Sequence, residues 1–388
     1  MSAKPKKKNN TGQVFALALS LALGVTVGII ASKFLFADAP ADTPFGMILI
    51  RTGLHILAAA AAIFLQIIIH EAGHLVCGLL SGYRFSSFRI GSFMWVRENT
   101  KLTCKRLSIA GTGGQCLMIP PEAPDEQVPF VLYNLGGGFA NILSGVLSFG
   151  VYWLLRGIPY ISVFLLMAAL FGLVFALLNM IPLYMGTVTN DGYNALAFAK
   201  DKTALRSFVV QLNVVAQTSR GMRLKDMPAD WFDVPPYAEV KNGMTAAHAL
   251  LACNRLFDAH SFAEADRMAV QLLDTDTLVG LHRHLLLCDR IFYELITQNR
   301  PAALADMLDK PQQNFTKAMR KFPSVLRTSY TYALRAEADA AKAAAILAQF
   351  EKVARSYPYQ SDIESERELI VIAGLDTTPA APPLQGGE

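Results

Sequence analysis

The stretch IFLQIIIHEAGHLVCGLLSGY, residues 63–83, places His70, Glu71 and His74 inside a run that otherwise reads as lipid-facing or core helix. Ionisable groups are costly in hydrocarbon and are seldom found there without a partner. On a helix, His70 and His74 stand at i and i+4 on one face, so both imidazoles can reach one Zn²⁺. Glu71, beside the first of them, can reach a water on that metal and take its proton. The five-residue pattern alone arises by chance in many chains. Its setting sharpens it, because an apolar helix does not hold such residues without cost, and a metal partner accounts for them.

A catalytic zinc site needs a third protein ligand and an open position. The candidate is Asp191 in LLNMIPLYMGTVTNDGYNAL, residues 177–196. No other carboxylate occurs between Glu126 and Asp191. Asn190 or Asp191 can equally be the N-cap of a helix opening at Tyr193, and both roles can coexist there. Cys77 follows His74 by three residues on a neighbouring helical face and reads as packing. His55 lies about four turns before His70, too far along a helix to share the metal, and reads as packing or interfacial.

The elements that must position these groups are membrane helices. The chain has 388 residues, 53% hydrophobic and 17% charged, with the apolar excess in the first half. Soluble globular chains carry roughly 25% charged residues. Four runs are candidates for spanning: Val14–Ser32, about Met47 to Leu80, Val128–Leu155 and Tyr160–Pro182. The first is too long for a signal-peptide core and reads as a retained helix. Lys4, Lys6, Lys7 and Lys8 precede it, and Arg84, Arg89, Arg97, Lys101, Lys105 and Arg106 crowd the 81–127 segment. The positive-inside rule then puts both termini and that segment in the cytoplasm, with HEAGH towards the cytoplasmic end of the second helix. YRFSSFRIGSFMWV and KLTCKRLSIAG are aromatic, β-branched and partly alternating, which predicts a small β-hairpin or sheet at the cytoplasmic face. The net charge of +4 and scattered basic residues give no nucleic-acid-sized patch, and five cysteines without a CxxC pair give no disulfide framework.

HEAGH in a membrane helix, the Gly-rich run NLGGGFANILSG (Asn134–Gly145), and N-x-I-P followed by D-G together resemble the site-2 protease family of intramembrane zinc metalloproteases. The three elements come in the family's order within residues 46–200. The resemblance implies one Zn²⁺ per chain on His70, His74 and Asp191, with Glu71 as general base. It implies that Asn179, in the Asn-Pro element, and Asn141, in the Gly-rich helix, help hold the substrate or the transition state. It also implies that substrate is presented as an extended strand, which an edge of the 83–118 segment can accept. Asn190 stands where the family often has Leu. The spacing from Asn179 to Asp191 is longer than usual, as in a Gram-positive bacterial subset. Apart from the family, Asn141 and Asn179 read as interhelical hydrogen-bonding residues, and Gly136, Gly137 and Gly138 as close helix packing.

The second half reads as soluble. Residues 201–243 form a linker or amphipathic segment whose Pro-rich part, 223–243, carries Trp231 and Phe232. Residues 244–375 follow a 3.6-residue period through successive helices, and 248–273 resembles a degenerate tetratricopeptide unit able to bind a protein or peptide. Residues 376–388 read as a disordered tail.

The expected fold is therefore an α-class polytopic membrane bundle of about four spans with a small sheet, followed by a soluble helical-repeat-like domain. The expected protein is a multi-pass zinc endopeptidase of the cell membrane, acting on a membrane protein, a signal-peptide remnant or a peptide precursor. The alternative is a membrane-anchored, non-enzymatic adaptor with a structural or vestigial metal site. Glu71 favours the enzyme, since a structural site has no need of a base.

Overall fold

The computed structural model of the chain describes residues 11–36, 43–98, 101–108, 113–185, 188–275 and 277–375. The Lys4–Lys8 cluster and the 376–388 tail lie outside the described residues. The chain divides into two compact units. One holds the residues up to Ala216 with Asn242–Thr245, and the other holds Gln217–Lys241 and the residues from Ala246 onward.

The first unit opens with helix α1 (Thr11–Phe36) and then α2 (Phe45–Leu80). Four antiparallel strands follow: β1 (Arg84–Ile90), β2 (Phe93–Glu98), β3 (Lys101–Arg106) and β4 (Gly114–Ile119). Next come α3 (Val131–Leu155), α4 (Ile161–Met180), a two-stranded ribbon of β5 (Tyr184–Met185) and β6 (Val188–Thr189), α5 (Asp191–Lys200) and α6 (Lys202–Thr218). The expected sheet is present, in the order β3-β2-β1-β4, so β4 is an edge strand.

Among the described residues, three helical segments are long and apolar enough to cross a membrane: Phe45–Leu80, Asp125–Leu155 and Ile161–Met180. Their large side chains face outward, as at Leu57 on α2 and Leu147 on α3. That is the pattern of a lipid-facing surface, not of a soluble core. This marks a membrane protein. About four spans were expected; three segments of that kind are found among the described residues. Within the described residues of α1, Leu17–Ile30 is a shorter apolar helix.

Helices α2, α3 and α4 approach closely through small residues. A Cβ on Gly73 would fall 2.3 Å from the Gly136 carbonyl, and one on Gly172 would fall 2.8 Å from the Asn141 carbonyl. Backbones this close gain van der Waals contact where no hydrophobic effect operates between helices. Below them, β4, the start of α3, α5 and α6 share one core that includes Met118, Tyr133, Phe198, Leu205 and Phe208. Residues 202–216, placed with the linker on sequence grounds, are thus a helix packed into the first unit.

The second unit contains α7 (Gly243–Asp258) from Ala246 onward, α8 (Phe262–Leu273), α9 (Gly280–Ile296), α10 (Pro301–Met307), α11 (Lys310–Ala318), α12 (Pro323–Arg335), α13 (Ala340–Ala354) and α14 (Gln360–Gly374). The pair α7–α8 matches the expected helix–turn–helix, with its turn at His260, a residue at φ 58°. The remainder is not a stack in which each repeat meets only its sequence neighbours. Arg327 of α12, 1% exposed, pairs with Asp289 of α9 and with Glu366 of α14. The Pro-rich segment closes the unit as well, since Arg223 pairs with Asp258 of α7 and Glu368 of α14. Phe232 is buried beneath Arg255, and the Trp231 carbonyl accepts from His248 Nε2 at 2.7 Å. That segment is packed on its own unit.

Candidate metal centre

His70 and His74 stand one turn apart on α2, ten and six residues before its end at Leu80, and their rings meet edge to face with centroids 4.7 Å apart. Their Nε2 atoms are 3.1 Å from each other. Asp191, the first residue of α5, brings Oδ2 to 3.2 Å from His70 Nε2 and 3.4 Å from His74 Nε2. One donor atom from each of the three residues therefore lies within 4.8 Å of the others, the one such group of three or more metal-binding side chains among the described residues.

The outer contacts decide what these atoms can do. His74 Nδ1 donates to the Tyr133 carbonyl at 2.8 Å, and His70 Nδ1 donates to Asn141 Oδ1 at 2.8 Å. Both acceptors are oxygens without a hydrogen to give, so each ring hydrogen sits on Nδ1 and each Nε2 turns a lone pair inward. Asp191 Oδ2 is buried with no hydrogen-bond partner among the described residues. Two lone pairs and an unpartnered carboxylate oxygen facing one point repel each other unless a cation lies between them. Imidazoles whose other nitrogen donates to a carbonyl oxygen are the usual dress of metal-ligating histidines. The donor set N, N, O fits a divalent ion such as zinc.

The chain is built to hold Asp191 there. Asn190 caps α5 by accepting from Tyr193 N at 2.9 Å, and it also accepts from Leu183 N at 3.0 Å. Its Nδ2 donates to the Leu178 and Ile181 carbonyls, each at 2.6 Å. All four hydrogen-bonding positions of this amide are used, tying the end of α4 to the start of α5. Both sequence roles thus coexist: Asn190 caps, and Asp191 faces the histidines. Gly192 lets the two helix ends touch, since a Cβ there would fall 2.1 Å from the Met180 carbonyl.

Glu71 is buried at 9% exposure, and its carboxylate lies against the first residue of β4. A Cβ on Gly114 would come within 2.6 Å of Glu71 Cγ and 2.7 Å of Oε1. Asn141 is brought to the centre in a different capacity from the one expected. Its Oδ1 takes the His70 hydrogen, and its amide hydrogens go to the Gln66 carbonyl at 3.0 Å and Gln66 Oε1 at 2.8 Å. No hydrogen is left for a developing oxyanion. The Asn179 side chain is not brought in; its Nδ2 donates back to Phe175 O in its own helix at 2.9 Å. Cys77 packs on Gly136 and stands outside the donor group, and His55 lies far off with Nδ1 on the Arg51 carbonyl.

Sequence reasoning passed over Gln66, Asn190 as a clamp, and Tyr133. Gln66 had a signal, being a polar residue in an apolar run. Tyr133 had none, because a main-chain carbonyl does the work.

The central glycine of the GGG run has a specific duty. A Cβ on Gly137 would fall 2.5, 2.6 and 2.7 Å from His70 Cε1, Nδ1 and Nε2. Gly137→Ala must therefore displace the ring. The expected result is at least a tenfold weaker metal affinity, on the scale of lost outer-shell support. Gly150→Ala, with nothing within 4 Å of its Cβ, serves as the control and binds metal as the wild type does. Titration with a competing chelator measures both.

Comparison with protein-family models, with curated proteins and with solved structures finds no match to this chain. The functional reading therefore stands on the site.

Proposed function

We propose that the chain is a membrane-embedded, zinc-dependent endopeptidase that hydrolyses peptide bonds in or next to a transmembrane segment. The substrate class is a membrane protein, a signal-peptide remnant or a membrane-bound peptide precursor. The observation that carries this reading is the convergence of two imidazole lone pairs and a buried, unpartnered carboxylate oxygen beside a second carboxylate, Glu71, that is not one of the converging donors. The resemblance of HEAGH, the Gly-rich helix and the later Asp-Gly to the site-2 protease family supports it.

His70, His74 and Asp191 would hold one Zn²⁺, which when bound supplies a Lewis acid and eases ionisation of water near neutral pH. Glu71 takes the proton of the attacking water and returns it to the leaving amine. Its burial against Gly114 fixes the carboxylate and limits the water that can compete for it. Because Gly114 opens an edge strand, an extended peptide adding to β4 would run past Glu71. Helical substrates hide their carbonyls in intrahelical bonds, so pairing with an edge would also keep the cut segment unwound.

By the positive-inside rule, the basic residues of 81–127 favour the cytoplasmic side for that segment, and with it for the metal-binding end of α2 and the second unit. Three crossings are consistent with this. The Lys4–Lys8 cluster shares that side if α1 crosses as well. The second unit would engage a protein or peptide partner.

Metal removal tests the proposal. The purified full chain, in vesicles, is assayed on a panel of single-pass transmembrane reporter peptides. Stripping with a zinc chelator should abolish cleavage, and Zn²⁺ but not Mg²⁺ or Ca²⁺ should restore it. Cleavage that survives complete metal removal contradicts the proposal.

A further inference from the structure

Gln66 lies one turn before His70 on α2 and is 0% exposed. Its side-chain amide is used in both directions. Nε2 donates to the Ala168 carbonyl of α4 at 2.9 Å, while Oε1 accepts from Asn141 Nδ2 at 2.8 Å and from Ser144 Oγ at 2.9 Å. A main-chain carbonyl can only accept, so Ala168 fixes which end of the Gln66 amide faces α4. Asn141, also 0% exposed, meets two acceptors on its nitrogen side, the Gln66 carbonyl and Gln66 Oε1. Its own oxygen is thereby turned to His70, and the His70 hydrogen is held on Nδ1. Reversing either amide would set oxygen against oxygen in a buried place, at the cost of unmade buried hydrogen bonds.

We infer that Gln66 is a positioning residue for the metal centre: anchored by the Ala168 carbonyl, it orients Asn141 and so dictates the His70 tautomer that presents a bare Nε2. The inference rests on the metal reading of His70, His74 and Asp191. Helix packing alone is a different role, because a mere bridge between α2 and α4 would work with the Asn141 amide in either sense.

Zinc alone is the probe. The dissociation constant of the purified full chain is measured by chelator competition, beside the unfolding temperature of the metal-free form. Gln66→Met keeps the length and removes the Oε1 acceptor, leaving the main-chain carbonyl as the remaining acceptor on the Asn141 nitrogen; zinc binding should weaken by about tenfold, the low end of the range for outer-shell partners. Gln66→Glu keeps an acceptor facing Asn141 but loses the donor to Ala168. It should lower the unfolding temperature while leaving zinc affinity within about threefold of wild type, since the tautomer remains specified. The Gln66→Glu result decides the matter even if Gln66→Met does not fold. The inference is overturned if Gln66→Met binds zinc as tightly as wild type, or if Gln66→Glu loses affinity in step with stability. A wild type that binds no zinc overturns the metal reading itself, so the two failures are told apart.

Discussion

Exchanging Glu71 for Gln should leave the chain with its full zinc content and lower cleavage by a factor of about 10²–10⁴, the usual contribution of a positioned acid–base group. Gln has the shape of Glu, and the pocket beside Gly114 accepts that shape without rearrangement. The three converging donors come from other residues, so their geometry is untouched. What Gln cannot do is accept a proton from water. Zinc analysis and reporter-peptide turnover on the same preparation make the comparison. Turnover within a few-fold of wild type would remove Glu71 from the chemistry and leave the adaptor reading in its place.

The second large effect is expected at Asp191. Removing its carboxylate in Asp191→Ala takes away one of three donors and the only anionic one. Metal affinity should therefore fall by more than the roughly 10–100-fold expected of an outer-shell partner. Stability of the metal-free chain should change little. Asn190, not Asp191, caps α5 and ties it to α4, and Asp191 contributes to that helix terminus only about 0.3–1 kcal/mol through its charge. Loss of a buried, unpartnered oxygen offsets part of this. Chelator competition and metal-free thermal unfolding separate the two effects. A variant that unfolds when metal-free but still binds zinc normally would make Asp191 a structural cap instead.

Much of this centre was legible in the sequence because its signals are local or compositional. The i, i+4 histidines need only a helix, and Asp191 stood out as a lone carboxylate in an uncharged stretch. The sheet was legible from the alternation of Phe93, Trp95 and Arg97, exposed, with Met94 and Val96, buried. The illegible parts are those where the partner is main chain or comes from far along the chain. No spacing rule links His74 to the Tyr133 carbonyl, or Gln66 to that of Ala168. The resemblance implied a transition-state role for Asn141, yet its amide hydrogens are committed to Gln66, a pairing that appears only when α2 and α3 cross. In the second unit, helical periodicity gave the helices but not their closure, because Arg223 joins Asp258 to a glutamate more than a hundred residues later.

The most direct test of the central claim is X-ray absorption at the zinc edge on the purified wild-type chain. The expected result is one zinc per chain with two nitrogen neighbours at about 2.0–2.1 Å and oxygen at about 2.0–2.2 Å. No sulfur shell should appear at about 2.3 Å, since Cys77 stands outside the donor group. A sulfur neighbour, or a chain that binds no zinc, would contradict it.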